Sequence, residues 1–155
     1  MEYPVRKAAA ADARVLGELL HEFNTEFETP TPTASEFADR FRPLLTGSEL
    51  VAFLAEDAQG RATGFALLAL RPTPYFDGPL VQLEELYVRP GLRARGIGTA
   101  LLETAVAFAR EQGSREMHIG VDEIDVDTRR FYERHGYVNV QPGEEQRMLM
   151  YLREL

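Results

Sequence analysis

Two arginines and two glycines lie around the start of a predicted helix in the middle of the chain. They belong to the segment Arg93-Ala94-Arg95-Gly96-Ile97-Gly98-Thr99. The N–H groups in the first turn of a helix have no partner within the helix and lie at the positive end of its dipole. Glycine lets the main chain approach a ligand closely, and a guanidinium can form two hydrogen bonds to one phosphate. The segment therefore predicts a phosphate-binding site in an otherwise acidic chain.

Two other phosphate-binding motifs do not fit these residues. The dinucleotide motif G-x-G-x-x-G would need a third glycine where Leu101 stands, and the segment lies in mid-chain rather than after a first strand. The P-loop needs the sequence Gly-Lys-Ser/Thr, but Lys7 is the only lysine in the chain. A nucleotide-binding interaction module is therefore disfavoured.

A strand predicted over residues 81–88 carries two adjacent carboxylates, Glu84 and Glu85. The apolar residues before and after this pair fall on opposite parities of the strand. One extra residue at the pair, a β-bulge, would return all of them to one face, and bulges are common beside functional sites. A strand buried on both faces, with Glu84 at an edge, explains the same pattern. Periodicity alone does not separate the two interpretations.

The sequence around the glycines resembles the signature of the GNAT superfamily of N-acetyltransferases. Arg93-x-x-Gly96-x-Gly98 follows Tyr87-Val88-x-Pro90, as the family's Q/R-x-x-G-x-G/A follows a strand ending in V-x-P. Residues 125–137 resemble a second family segment, N-x-x-A-x-x-F-Y-x-x-x-G-F, with Asp, Thr and Tyr in place of Asn, Ala and the last Phe. The resemblance covers nearly the whole chain and implies acetyl-CoA as the cofactor.

The resemblance also implies which residues hold the cofactor. The strand end would contact the pantetheine arm and the acetyl group, and the glycine-containing loop would cradle the pyrophosphate. Asp125 would accept a hydrogen bond where the family has Asn. The predicted cofactor-binding residues are Leu86, Tyr87, Val88, Arg93, Ala94, Arg95, Gly96, Ile97, Gly98, Thr99, Asp125 and Arg129.

Acetyl transfer to an amine needs a neutral nitrogen, a donor for the developing oxyanion and a proton for the departing thiolate. The resemblance makes the Val88 N–H the oxyanion donor. Tyr132 is the candidate acid, since a phenol with a pKa near ~10 can protonate a thiolate, although its ring could instead pack beneath the cofactor. Glu84 and Glu85 are the candidate bases, and either could equally be a solvated charge at a strand edge.

The expected acceptor is a primary amine on a small molecule or a peptide. Tyr75 and Phe76 lie in a Pro- and Gly-rich loop, and Asp122 and Glu123 follow a predicted strand. These four residues are candidates for selecting a cationic substrate, with ordinary solvated loop residues as the alternative. A non-catalytic acyl-CoA-binding regulatory domain is the alternative to an enzyme. Tyr132 and the paired glutamates favour the enzyme.

The surrounding elements predict a single α/β domain over residues 1–155. Apolar spacing predicts helices over residues 12–27, 35–45, 97–111 and 127–134, with Ser35 and Asp127 as two of the N-caps. Strands are predicted over residues 5–9, 50–55, 62–70, 81–88, 117–121, 137–140 and 148–152. The resemblance implies a mixed, mostly antiparallel sheet of six to seven strands with a splayed central strand, flanked by about four helices.

Composition limits the partners. A net charge of −8 argues against nucleic acid and favours a cationic acceptor. The chain has no cysteine, and its three histidines lack metal-ligand spacing, so we expect neither disulfides nor a metal. We expect no membrane contact and a cytoplasmic location, because no stretch approaches the ~20 apolar residues that cross a bilayer and no targeting segment is evident. The resemblance also allows a homodimer.

Overall fold

A computed structural model describes residues 3–155 of the chain. The chain forms two compact units, one ending at His118 and the other running from Ile119 to Leu155. Nearly all of the sheet and three of the four α-helices lie in the first unit. The single domain expected from the sequence stays a prediction.

Five strands form one sheet, in the order in which they occur along the chain. They are β1 (Val5–Lys7), β2 (Leu50–Glu56), β3 (Ala62–Arg71), β4 (Leu80–Val88) and β5 (Met117–Ile119). Neighbours from β1 to β4 pair antiparallel, and β2 and β3 form the predicted hairpin. The N–H of Val81, near the start of β4, donates to the carbonyl oxygen of Glu116, directly before β5, at 3.3 Å. Both strands thus begin at the same end of the sheet and run in the same direction, so they are parallel. The sheet is therefore mixed, as predicted.

The strands predicted over residues 137–140 and 148–152 are wrong, so the sheet has five strands rather than six to seven. Between these two segments the described residues form one isolated bridge, from Val140 to Arg147. A strand needs a partner and a face to bury. Met150 is 77% exposed, and its apolar neighbours on both sides are exposed as well. The apolar run therefore gains no buried face.

Four α-helices accompany the sheet, as expected. They are α1 (Ala13–Glu26), α2 (Ala34–Leu44), α3 (Ile97–Glu111) and α4 (Val126–Arg134). α3 has the predicted bounds, and a short 3-10 turn, Pro90–Leu92, precedes it. Among residues 3–155, every helix is too short or too polar to cross a bilayer.

Two helices begin at other caps than the sequence suggests. Thr33, rather than Ser35, accepts the Glu36 N–H at 3.1 Å, and the Glu36 carboxylate accepts the Thr33 N–H at 2.8 Å. This reciprocal capping box satisfies two otherwise unpaired donors, which Ser35 could not do alone. α4 begins after Asp125, whose carboxylate accepts the Thr128 N–H at 3.3 Å in a single cap bond, and not after Asp127.

The two faces of the sheet are covered by different helices. Phe65 on β3 is fully buried in a cluster with Leu16 of α1 and Tyr87 of β4. Successive side chains of a strand point to opposite faces, so the preceding residue, Gly64, faces the other way. A Cβ on Gly64 would lie 3.3 Å from Cδ1 of Leu101 on α3. α1 thus packs on one face and α3 on the other.

Replacing Gly64 by alanine tests the close approach of β3 and β4. A Cβ there would collide with the carbonyl oxygen of Tyr87 and lie 3.2 Å from Cα of Val88, so β4 would have to shift. We expect Gly64→Ala to lower the free energy of unfolding by about 1–3 kcal/mol, the usual cost of overpacking, in urea denaturation. Gly47→Ala is the matched control, because its Cβ would meet only the Leu44 carbonyl oxygen, at 3.7 Å. Equal stability of the two variants would contradict this packing.

Candidate active site

β4 contains an extra residue where the sequence indicates a break. Leu83 pairs with Leu68 and Glu85 pairs with Leu67, which leaves Glu84 between two consecutive pairs of the ladder. This arrangement is a β-bulge. The bulge, and not burial of the strand on both faces, therefore explains the broken alternation.

The bulge places the two glutamates in different surroundings. Beyond it, Glu85 shares a face with Tyr87, the face that α1 covers. Glu85 is half-buried there, whereas Glu84 is exposed. Two carboxylates that are neighbours in sequence thus differ in their access to water.

Burial raises the pKa of the Glu85 carboxyl to about 7, and the negative charge of Glu84 adds to the rise. A carboxyl group with this pKa is partly ionised at neutral pH, so it can take up a proton and release it again. Such a value suits a general base far better than that of a solvated carboxylate. Of the two predicted bases, Glu85 has the environment that this role requires.

The end of β4 directs one N–H group away from β3. The N–H of Arg89 donates to the carbonyl oxygen of Thr63 at 3.0 Å. Hydrogen-bonded and non-hydrogen-bonded pairs alternate along an antiparallel ladder, so the adjacent pair, Gly64 with Val88, is of the second kind. The Val88 N–H therefore points outward from the ladder, as the predicted oxyanion donor must.

The side chains at this strand end contribute unequally to the surface. Tyr87 is only 4% exposed, and its ring stacks on that of Phe23 with 4.9 Å between the centroids. Only the main chain of Tyr87 can therefore meet a cofactor. Leu86, on the opposite face, and Val88 are both half-buried.

The loop between β4 and α3 has a backbone that suits an anion. Ala94 and Gly96 both adopt the left-handed region, with φ of 61° and 88°. Gly96 lies directly before α3, so residues 97–99 form the first turn of the helix, where N–H groups point out along its axis. Arg95 is exposed and forms no ion pair with any residue that the structure describes. Its charge is available to a phosphate.

Arg93, the other arginine of the loop, is turned toward α1. Its guanidinium donates to both carboxylate oxygens of Glu26, at 2.7 and 2.8 Å. A third hydrogen bond, from Nε, goes to the Val88 carbonyl oxygen at 2.8 Å. The structure thus gives Arg93 protein partners rather than an outward orientation, and its predicted contact with the cofactor stays a prediction.

In the unit from Ile119 to Leu155, Tyr132 lies on α4 and is 6% exposed. Its ring contacts those of Phe131 and Tyr137, with centroids 5.2 and 5.5 Å away. Its carbonyl oxygen accepts the N–H groups of His135 and Tyr137, at 3.0 Å each. The ring is therefore held in one orientation, which both the acid role and the packing role require.

The predicted acidic residues before α4 take part in local contacts. The Asp122 carbonyl oxygen accepts the Asp125 N–H at 3.0 Å, and Arg129 donates to the Glu123 carbonyl oxygen at 2.9 Å. The Glu123 carboxylate binds Arg147 at 2.6 Å, which lowers the pKa of Glu123. In residues 3–155, no three acidic or histidine side chains converge as metal ligands would.

The two predicted aromatic selectors lie in the loop between β3 and β4. Tyr75 is 88% exposed, and Phe76 is half-buried. An exposed aromatic ring can stack on or cover a ligand. The role of both residues in acceptor binding stays a prediction.

Sequence analysis does not identify Glu22, Glu26 and Arg89 as part of this region. The local signal is the spacing of four residues, which separates Glu22 from Glu26 on α1 and Arg89 from Arg93 after β4. The partners are 67 residues apart in the chain. No periodicity connects them, so their pairing becomes visible only in the folded chain.

Comparison with known proteins identifies a family. The sequence model of the Acetyltransferase (GNAT) family matches residues 16–137. The match covers well over half of the chain and includes the bulge, the loop before α3 and all of α4. The match thus spans every predicted site residue.

Several relatives have acetyltransferase names. An aminoglycoside N(6')-acetyltransferase type 1 of Stenotrophomonas maltophilia is 32% identical over 117 residues, which are 73% of this chain and 71% of that protein. A crystal structure from Arthrobacter sp. FB24, provisionally named an acetyltransferase, is 43% identical with a TM-score of 0.91, covering 100% of this chain and 97% of that one. AAC(6')-Iy in complex with the bisubstrate analog CoA-S-monomethyl-acetylneamine shares the fold, at 21% identity, a TM-score of 0.77 and 100% coverage of both chains.

The raised pKa of Glu85 makes stability depend on pH. Folding disfavours its ionised form, so the wild-type chain should lose stability as the pH rises from the ordinary carboxyl value of 4.5 to about 7. Glu85→Gln removes this loss. We expect the variant to exceed the wild type by about 2 kcal/mol at pH 8, after a discount for partial exposure, and by much less at pH 4. Urea denaturation at both pH values measures the difference, with Glu103→Gln, at an exposed position of α3, as the control. A difference independent of pH would contradict this assignment.

Proposed function

The chain belongs to the GNAT family of acetyltransferases, and we propose that it transfers the acetyl group of acetyl-CoA directly to a primary amine of a small molecule or a peptide. The enzyme class and the use of acetyl-CoA follow from the family. Bound acetyl-CoA supplies the acetyl group and departs as CoA. The nature of the acceptor and the residue roles are the proposal. Glu85 carries it, because its half-buried carboxyl has a pKa near that of an efficient general base.

The first requirement is to deprotonate the acceptor, since an alkylamine is mostly an ammonium ion at neutral pH and an ammonium nitrogen has no lone pair to attack with. Ionised Glu85 takes that proton, directly or through one water molecule. The same burial that raises its pKa makes the carboxylate more basic. Glu84 is exposed to water. It contributes instead by raising the pKa of Glu85.

The second requirement is to stabilise negative charge on the carbonyl oxygen during attack. The Val88 N–H, which points away from β3, is the donor for this charge. A single donor of this kind contributes roughly 10²–10³ in rate when it is already oriented before the reaction. The ladder on one side of Val88 and the Arg93 contact on the other supply that orientation.

The remaining residues bind the cofactor and protonate the leaving group. The first turn of α3 and the exposed Arg95 hold the pyrophosphate, through N–H groups and a guanidinium. Tyr132 donates its phenolic proton to the departing thiolate.

Tyr132→Phe tests this role, with Tyr151→Phe at an exposed tyrosine as the control. We expect Tyr132→Phe to lower kcat and Tyr151→Phe to leave it unchanged. If both variants kept the wild-type kcat, the acid role of Tyr132 would be wrong.

The acceptor is proposed to be cationic before deprotonation. The net charge of −8 favours the approach of a positively charged amine. A relative that is 32% identical is named for acetylating aminoglycosides, which makes polyamino sugars one class to test. Polyamines, amino acids and peptides with a free N-terminus are the others. CoA release in the presence of each compound identifies the acceptor. Binding of acetyl-CoA with no CoA release in the presence of any compound would favour a non-catalytic acyl-CoA-binding domain.

A cytoplasmic location stays a prediction.

Substitution of the two glutamates tests the base. With the best acceptor, we expect Glu85→Gln to lower kcat/KM by about 10²-fold or more, since an amide cannot accept the proton. The wild-type kcat/KM should rise with pH along a limb with an apparent pKa near 7, because the ionised form is active, and the variant should lose this limb. Glu84→Gln should keep most of the activity, and the rising limb of its pH profile should move to lower pH. If Glu84→Gln alone abolished activity, the assignment of Glu85 would be wrong.

A further inference from the structure

Two arginine–glutamate pairs fasten α1 to the segment that leads from β4 to α3. Arg89 donates to both carboxylate oxygens of Glu22 at 3.0 Å each, and Arg93 does the same to Glu26 at 2.7 and 2.8 Å. The glutamates are one helical turn apart on α1, and the arginines flank the turn at Pro90–Leu92. We call these four residues the α1 clamp. It ties together two segments that are far apart in the sequence.

All three nitrogens of the second arginine of the clamp bind protein oxygens, which leaves only one N–H on each terminal nitrogen for a ligand. Two nitrogens of Arg93 bind Glu26, and Nε binds the Val88 carbonyl oxygen at 2.8 Å. The guanidinium also lies over the ring of Tyr87, with 5.6 Å from its carbon to the ring centroid. A fork of this geometry matches a carboxylate as well as it would a phosphate. Moving it to a phosphate would break all of these contacts.

The clamp acts on the peptide group next to the proposed oxyanion donor. The peptide between Val88 and Arg89 is held at both ends, its carbonyl oxygen by Arg93 and its N–H by the Thr63 carbonyl oxygen at 3.0 Å. Rotation of this peptide would also turn the preceding N–H, that of Val88. Arg89 adds a bond to the Ala62 carbonyl oxygen at 2.7 Å, which fixes the same strand end to β3.

From these contacts we infer that Arg93 is a positioning residue of the cofactor site and that Glu26 of α1 is its essential partner. The clamp holds the strand end and the loop in the shape that receives CoA, and the direct charge contact with the phosphates falls to Arg95. This inference rests on the proposed function, because it takes the loop before α3 as the CoA site. It contradicts the simplest expectation from the sequence, in which both arginines bind the pyrophosphate.

Removing the charge of Glu26 distinguishes a positioning role of Arg93 from a phosphate-binding role, because the two roles predict opposite changes in CoA affinity. CoA is a polyanion, so loss of a nearby carboxylate and release of Arg93 should tighten binding if Arg93 is a phosphate ligand. If Glu26 keeps Arg93 in its positioning role, the same change should weaken binding against that electrostatic trend. Glu18→Gln is the matched control, since it removes the same charge from the same helix at a residue whose ion pair is with Arg14, at 3.1 Å, and not with Arg93.

Calorimetric titration of the full chain with CoA, which needs no acceptor, provides the measurement. We expect Glu26→Gln to bind CoA about tenfold more weakly than the wild type, the loss that corresponds to about 1.4 kcal/mol. Glu18→Gln should bind as the wild type does. Tighter or unchanged binding by Glu26→Gln, or an equal loss in Glu18→Gln, would overturn the inference. Absence of CoA binding by the wild type would instead overturn the proposed function and the inference with it.

Variants of the two arginines extend the test to a chain that keeps Glu26. Arg93→Gln removes the positive charge together with the fork that binds Glu26 and the Val88 carbonyl oxygen, so we expect a loss of CoA affinity similar to that of Glu26→Gln. The salt dependence of binding should stay close to that of the wild type, because Arg93 does not contact the phosphates. Arg95→Gln should weaken binding and reduce its salt dependence, because a screened charge contact is lost. If Glu26→Gln fails to fold in a thermal melt, the Arg93→Gln result decides, and a reduction in salt dependence as large as that of Arg95→Gln would overturn the inference.

Discussion

The pairing of β4 with β3, with one residue too many on β4, is the constraint on which the site depends. The ladder before the bulge sets the alternation of side chains, and the extra residue at Glu84 shifts that alternation by one position. As a result Glu85 faces the buried side covered by α1, and the Val88 N–H points away from the ladder. A regular strand would have placed the proposed base and the proposed donor differently. The bulge thus creates the geometry on which the proposed proton transfer and charge stabilisation depend.

α1 influences the electrostatics of the site in two ways. Its apolar face, with Leu16 and Phe23, helps to exclude water from the side of the sheet on which Glu85 lies. Its C-terminal turns carry Glu22 and Glu26, which hold the arginines that follow β4. One helix therefore lines the face on which the proposed base lies and fastens the proposed cofactor loop. Partly exposed ion pairs contribute little alone, but bidentate pairs that share a rigid strand end can fix its geometry.

Much of the fold and of the site could be predicted from sequence, because the signals are local. The bounds of α3, the β2–β3 hairpin and the position of the break in alternation at Glu84 and Glu85 follow from periodicity and turn residues, and the glycine-containing loop follows from its spacing before a helix. That the break is a bulge needed the register of β4 on β3. The strands expected after residue 137 were wrong because an apolar run such as residues 148–152 looks the same whether or not a neighbouring strand covers it. The caps of α2 and α4 were misplaced for a related reason, since several polar residues near each start could serve.

By itself, the sequence determined the class of protein and predicted where phosphate binds. These depend on a short run of residues whose backbone conformation and charge are properties of the segment: a left-handed glycine, a helix start and an arginine. Only the tertiary structure decided which glutamate loses water and which arginine is bound by protein oxygens. Desolvation of Glu85 requires the covered face of the sheet, and the orientation of Arg93 requires Glu26, 67 residues away. Interactions of this range depend on how distant elements meet, which no local pattern of residues encodes.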